Sequence, residues 1–215
     1  MLVHIRRSIV LAVVALVLTF GFAFLGTGVS QLLFKHQADG SITANGSTLI
    51  GQNWSQAPCP GHLRGSCVFQ GRPDAVGPYA GSANPVAAGG DNPLQANNIP
   101  GKPAVLNSGE SGASNLGPRS KTLKENTQEL VAYWKARGVT PTPDLVTTSG
   151  SGYDPDISQQ DALAEIPMVA KATGLSASQL KKLVISQTQG AQLGFLGTSY
   201  INVLQLNEAL AHLTK

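Results

Sequence analysis

A concentrated basic face is missing from this 215-residue sequence. Lys and Arg total 15 against 12 Asp and Glu, only 13% of residues are charged, and Arg6 and Arg7 stand ahead of the first apolar run. Residues 35–215 therefore carry 13 basic against 12 acidic side chains. That balance excludes the clustered Lys and Arg of a nucleic-acid binder or of a polybasic membrane-surface protein. Metal-ligand spacing is missing as well. His4, His36, His62 and His212 are scattered without an acid–base partner, and only His62 lies near the two cysteines, so zinc lacks a full ligand set. No internal repeat is present, and the length allows one ordinary domain with an appendage.

What the chain does have is an uncharged run of twenty-seven residues, SIVLAVVALVLTFGFAFLGTGVSQLLF, at 8–34. Roughly 20 helical residues cross a hydrocarbon core about 30 Å thick. A cleaved signal peptide would have an apolar centre of about 7 to 15 residues before a small-x-small site. This run is longer and no Ala-x-Ala follows, so it reads as a retained anchor, with Gly26-Thr27-Gly28 the place where cleavage would be least obstructed. Arg6, Arg7 and the amino terminus outweigh Lys35 across the span, which predicts residues 1–7 as a cytoplasmic tail, 8–34 as a single transmembrane helix in a cell membrane, and 35–215 as an extracytoplasmic domain. Gly21, Ala23, Gly26 and Gly28 interrupt the large aliphatic residues and permit close approach of a neighbouring helix, the remaining surface facing lipid. Cys59 and Cys67 enclose PGHLRGS and read as a local disulfide in an oxidising compartment.

Residues 39–75 hold short apolar stretches, STLIG and CVFQG, bounded by Gly, Asn and Pro, which predicts two or three brief strands. Residues 76–119 are rich in Gly, Ala, Asn, Ser and Pro and read as a long irregular, mobile loop. Helices follow. Leu123, Leu130, Val131 and Trp134 share a face, with Ser120 as N-cap and Gly138 as stop. Ser158 with Asp161 opens a short helix, Pro167 divides it from a second one, and Gly174 ends the pair. Ser176 with Gln179 and Asn202 with Gln205 open two more. Strands in the first half and helices in the second predict a mixed α/β (α+β) domain.

Three aspartates, two serine–glycine pairs and a proline crowd into DLVTTSGSGYDPDIS, residues 144–158, where nothing reads as an ordinary strand. A calcium loop fails because its sixth position, which must turn sharply, is Gln159. A phosphate loop lacks its Lys-Ser/Thr pair, and Ser149 and Ser151 lack a histidine base. The stretch reads as a rigid junction between the two halves, with Gly150 and Gly152 at positive φ, Asp154 and Asp156 in turn or cap positions, and a partner-facing surface. A weaker reading lets those acids raise the local concentration of cations.

GSTLIGQ at 46–52, FQGRPDA at 69–75, SNLGP at 114–118, DLVTTSGSGYDPDIS, VAKATGL at 169–175 and NVLQLN at 202–207 occur in the order seen in the C subunit of Kdp-type potassium-transporting ATPases, which this chain resembles over nearly its whole length. The extended loop before Ser114, Tyr153 in place of leucine, Asp156 in place of histidine and the cysteine pair depart from the pattern. The resemblance implies an accessory subunit of a high-affinity potassium uptake complex, needed for its assembly, stability and activity. Its implied partners are a channel-like A subunit, a P-type ATPase B subunit and a small F subunit. It also implies a catalytic-chaperone role that raises the B subunit's affinity for ATP, making ATP a shared ligand, with no cofactor assigned to this chain. Arg72, Asn115 and Asp144 join Gly150, Gly152, Asp154 and Asp156 as junction or partner-surface candidates. The Asp-Lys-Thr-Gly sequence of a P-type pump is absent, so the chain is expected not to be an enzyme. The rival reading is a membrane-anchored extracytoplasmic ligand-binding module or enzyme unrelated to any pump.

Overall fold

The computed structural model describes residues 2–52, 54, 57–63, 65–73, 113–152 and 154–214. Most of the loop read at 76–119 lies outside them. The chain divides into two compact units, Met1–Ile42 and Thr43–Lys215.

The first unit is dominated by α1 (Leu2–Leu33), long and apolar enough to cross a membrane and without a single buried residue. At 1.5 Å per residue its 32 residues extend about 48 Å. The helix begins well before the uncharged run, since backbone bonding continues through His4, Arg6 and Arg7 irrespective of side-chain polarity, and it stops at Phe34, where φ is −135°. The hydroxyls of Thr19 and Thr27 donate to the carbonyls of Ala15 and Ala23, at 2.8 and 2.9 Å. Hydroxyls satisfied within their own helix suit a medium that offers no water. A one-turn α2 (Lys35–Ala38) follows, and Gln31 Nε2 donates to Asp39 Oδ1 at 3.0 Å.

The second unit is a mixed helix and strand domain. After β1 (Ile42–Thr43), which straddles the boundary, and β2 (Gly46–Ser47) come α3 (Lys121–Ala136), the short α4 (Pro143–Val146), β3 (Asp156–Ile157), α5 (Gln159–Thr173), α6 (Ala177–Gln187), β4 (Ile201–Asn202) and α7 (Val203–Leu213). Ser120 accepts from the Leu123 N–H to open α3, which buries Leu130, Tyr133 and Trp134, while Val131 is half-buried. Gly138, at φ 76°, turns the chain away just beyond it. Ser158 with Asp161, and Ser176 with Gln179, form reciprocal capping boxes on α5 and α6, and Gly174 at φ 74° ends α5. Asn202 caps α7 by accepting from Gln205 N–H. The helices enclose Trp134, Phe69, Leu145, Leu180, Ile201, Leu206 and Leu210, all fully buried. Each such side chain contributes roughly 1.5–3 kcal/mol of transfer free energy.

Three expectations are corrected. Pro167 lies inside one continuous α5 rather than between two helices. It stands exposed, while Glu165, Ile166, Met168 and Val169 are buried on both sides of it, so burial of the helix face outweighs the roughly 3 kcal/mol cost of an interior proline. CVFQG is not a strand, because the backbone of its Phe69 and Gln70 pairs with side chains instead of a neighbouring strand. Strand structure also appears in the second half: β3 and β4 pair antiparallel, Asp156 opposite Asn202 and Ile157 opposite Ile201. Cys59 and Cys67 are bridged, closing a loop turned by Gly61 and Gly65 at φ 74° and 73°.

Candidate functional site

The aspartate-rich stretch forms a packed junction. From α4 and the turn after it, Asp144 and Asp154 converge on Arg72, whose guanidinium lies 3.8 Å from Asp144 Oδ1 and 3.5 Å from Asp154 Oδ2 and donates to the Thr148 carbonyl at 3.3 Å. Asp154 Oδ1 accepts from Asp156 N–H at 3.1 Å, the turn that starts β3. Asp156 Oδ1 accepts from Asn202 Nδ2 at 3.0 Å, and the same amide donates to the Thr48 carbonyl at 2.8 Å. Val203 N–H donates to the Pro155 carbonyl at 2.9 Å. Segments far apart in the chain are thus tied at one point.

Gly152 is buried, has φ 72° and donates its N–H to Ser149 Oγ at 2.9 Å. The expectation for Gly150 is corrected: it is exposed and outside the positive-φ region, because one left-handed residue suffices to turn this loop. Asn115 is exposed at φ 51° ahead of α3, and among the described residues no hydrogen bond or ion pair joins it to the Arg72 cluster. Between Gly71, Asp154, Pro155 and Leu204 there is no space for even a water-sized ligand. Among the described residues no group of three His, Cys, Asp or Glu side chains could hold a metal ion.

Beneath this surface lie further polar groups, buried or half-buried, and among them Glu165 was left out of the motif reading. Glu165 is fully buried on α5, and its Oε2 accepts from Gln70 N–H at 2.8 Å. Burial pushes its carboxyl well above the ordinary range, opposed by the Gln70 bond and reinforced by Asp161. A neutral carboxyl avoids placing an uncompensated charge in the core. Asp161 accepts from Ser158 N–H and from the Thr142 hydroxyl. Burial raises it to about 6, with the Ser158 hydroxyl opposing and Asp144 reinforcing. Asp156 is raised too, chiefly by burial, with Asn202 opposing and Asp154 reinforcing. Asn207, on α7, accepts from Phe69 N–H and donates to the Phe69 carbonyl, both at 2.8 Å. Trp134 Nε1 donates to the Leu145 carbonyl at 2.8 Å and fastens α4 to α3. A signal for Glu165 exists in helical spacing, since it recurs with Asp161, Ala162, Ile166 and Val169 on one face of α5.

The arrangement can hold backbone segments rigidly and present a partly neutralised acidic surface. The segments it ties together lie within the range over which the chain matches known proteins. A family model described as "K+-transporting ATPase, c chain" matches residues 5–212. The chain is 39% identical over 215 residues to a potassium-transporting ATPase KdpC subunit of Rhodopseudomonas palustris, covering 98% of this chain and 97% of that one. It is 39% identical over 222 residues to the subunit of that name from Methylobacterium nodulans, covering 99% and 98%, and 38% identical over 223 residues to that of Methylorubrum extorquens, covering both completely.

Proposed function

The chain belongs to the KdpC family, and from that premise we propose that it is the non-catalytic accessory subunit of a high-affinity, ATP-driven potassium uptake complex, working through assembly and stabilisation of its partners. The observation that supports this most is that the family-like segments interlock as a packed polar junction, with Arg72, Glu165, Asn202 and Asn207 bound to their own chain. The partners are a channel-like A subunit, a P-type ATPase B subunit and a small F subunit. Residues 1–7 are cytoplasmic, 8–34 form a single span, and the domain from 35 onward is extracytoplasmic at the cell membrane, the flanking Arg6 and Arg7 giving the direction. Gly21 and Gly28 lie on one face of α1 and Ala23 and Gly26 on the opposite one, and these faces receive partner helices. A Cβ on any of the three glycines meets nothing within 4 Å, so Gly21→Leu fits the lone chain and reduces recovery of the complex only through lost helix contact.

An extracytoplasmic domain does not touch cytoplasmic ATP. A chaperone role toward ATP would then act across the membrane through the B subunit. Topology decides between direct and indirect action. With Cys59 and Cys67 bridged and unreactive, a Lys181→Cys chain places one thiol at an exposed position on α6. An impermeant thiol reagent labels it on intact cells in the proposed orientation. Labelling only after lysis reverses the orientation and restores direct nucleotide contact.

A further inference from the structure

Residues 189–200 turn the usual burial rule inside out. Gln189 and Tyr200 form an antiparallel bridge, reinforced by the Tyr200 hydroxyl donating to Gln189 Oε1 at 3.0 Å. Within it Gln192 pairs with Leu196, so the chain reverses through Leu193, Gly194 and Phe195. Leu193 is 83% exposed, Phe195 74% and Leu196 49%. Leu193 also has φ 53°, a conformation that disfavours any residue bearing a Cβ, while Gly194 and Gly197 take up the rest of the turn at φ 81° each. Backbone strain and apolar exposure therefore coincide at one residue, and among the described residues nothing offsets either.

The surroundings narrow the choice of occupant. No Asp, Glu, Lys or Arg occurs from Leu183 to Asn207. A loop that dips into a bilayer surface carries Lys or Arg beside its apolar tip to meet the headgroups, and this one has none. Apolar residues flanked by Gln, Thr, Ser and Tyr match the charge-depleted centre of a protein interface. The three side chains offer on the order of 400 Å², well under the roughly 800 Å² per partner of a stable interface. Two copies joined only by these tips would not hold. A contact this small becomes effective when another link keeps its partner near, which a shared membrane supplies through α1.

We propose that the 189–200 hairpin is a docking tip that inserts Leu193, Phe195 and Leu196 into an uncharged, apolar recess on a neighbouring membrane-embedded subunit of the same transport complex. The inference rests on the reading of this chain as a pump subunit. Its test uses the full chain co-expressed with the other subunits of its own ATPase and extracted in mild detergent. Phe195→Lys lowers recovery of the large subunits at least tenfold with the melting temperature of the lone chain unchanged. Leu193→Gly, which accepts φ 53° freely, keeps or raises the melting temperature yet lowers recovery several-fold. A photoreactive side chain in place of Phe195 yields an adduct with a partner subunit. Wild-type recovery from Phe195→Lys overturns the proposal, as do adducts formed only with lipid or only with a second copy. Losses that track a falling melting temperature in both variants overturn it too. If the unaltered chain recovers no ATPase subunits, the pump reading fails first and takes the tip with it. If the unaltered chain recovers them and Phe195→Lys does so equally, the docking tip alone is wrong.

Discussion

The junction around Glu165 and the hairpin around Phe195 break the same rule in opposite directions. Glu165, a carboxylic acid, is fully buried, and Phe195, an aromatic ring, is 74% exposed. At the junction much of the cost of burying polar groups is offset by partners within the chain: Gln70 for Glu165 Oε2, Phe69 for Asn207, and Asp156 with Thr48 for Asn202, while Glu165 Oε1 has no partner among the described residues. At the hairpin the exposed side chains have no such compensation. The difference separates two kinds of work. Buried polar pairs determine how this domain folds, whereas uncompensated apolar exposure is the signature of association.

The sharpest way to break the comparison is to remove a buried partner. Asn207→Ala leaves the N–H and carbonyl of Phe69 unpaired in the core, at about 1–3 kcal/mol each. Chemical denaturation should therefore show a loss of about 2–6 kcal/mol. A loss below about 1 kcal/mol would mean that the 69–71 segment is held by something other than these bonds.

A smaller effect tests the turn that frames Arg72. Gly152→Val forces a β-branched residue to φ 72° at a buried position and should cost about 1–3 kcal/mol of stability. Gly150→Val, exposed with nothing within 4 Å of a new Cβ and no positive φ, should change the melting midpoint little. Equal losses from both would remove the conformational explanation.

The gentlest probe is pH. Glu165 and Asp161 both have carboxyls raised in the folded state, so folding favours their protonated forms. Their contribution to stability is complete below the unfolded carboxyl range and declines as pH rises through the folded values, for Asp161 between its ordinary 3.8 and about 6. Glu165→Gln keeps an acceptor for Gln70 N–H without a titrating group. Its stability relative to the unaltered chain should improve as pH rises above the ordinary carboxyl range. A pH-independent difference between the two proteins would show that burial does not raise the Glu165 carboxyl.

Helix caps were readable from local sequence because a cap joins residues three apart. Ser120, Ser158, Ser176 and Asn202 all behave so. The interior of α5 was not readable in the same way. Proline signals a break on local grounds, and only the burial of Ile166, Met168 and Val169 explains why the helix passes through Pro167. Strands β3 and β4 have two residues each, too few for any alternation to show, and exist because Asp156 and Ile157 meet Asn202 and Ile201 across the fold. At the junction, the motif residues Arg72, Asp144, Asp154 and Asp156 were legible as a set. Glu165 and Asn207 were not, because their role is defined by the backbone of a distant segment.

By itself the sequence determined what depends on neighbours along the chain. Apolar composition and locally closed backbone bonds make α1 long enough to span a membrane whatever the rest of the chain does. Tertiary structure alone decided which polar groups pair across the fold and which acids are driven toward neutrality. In a low-dielectric interior those outcomes depend on distance to groups many residues away: Gln70 lies beside Glu165 and Phe69 beside Asn207 only once the chain has folded.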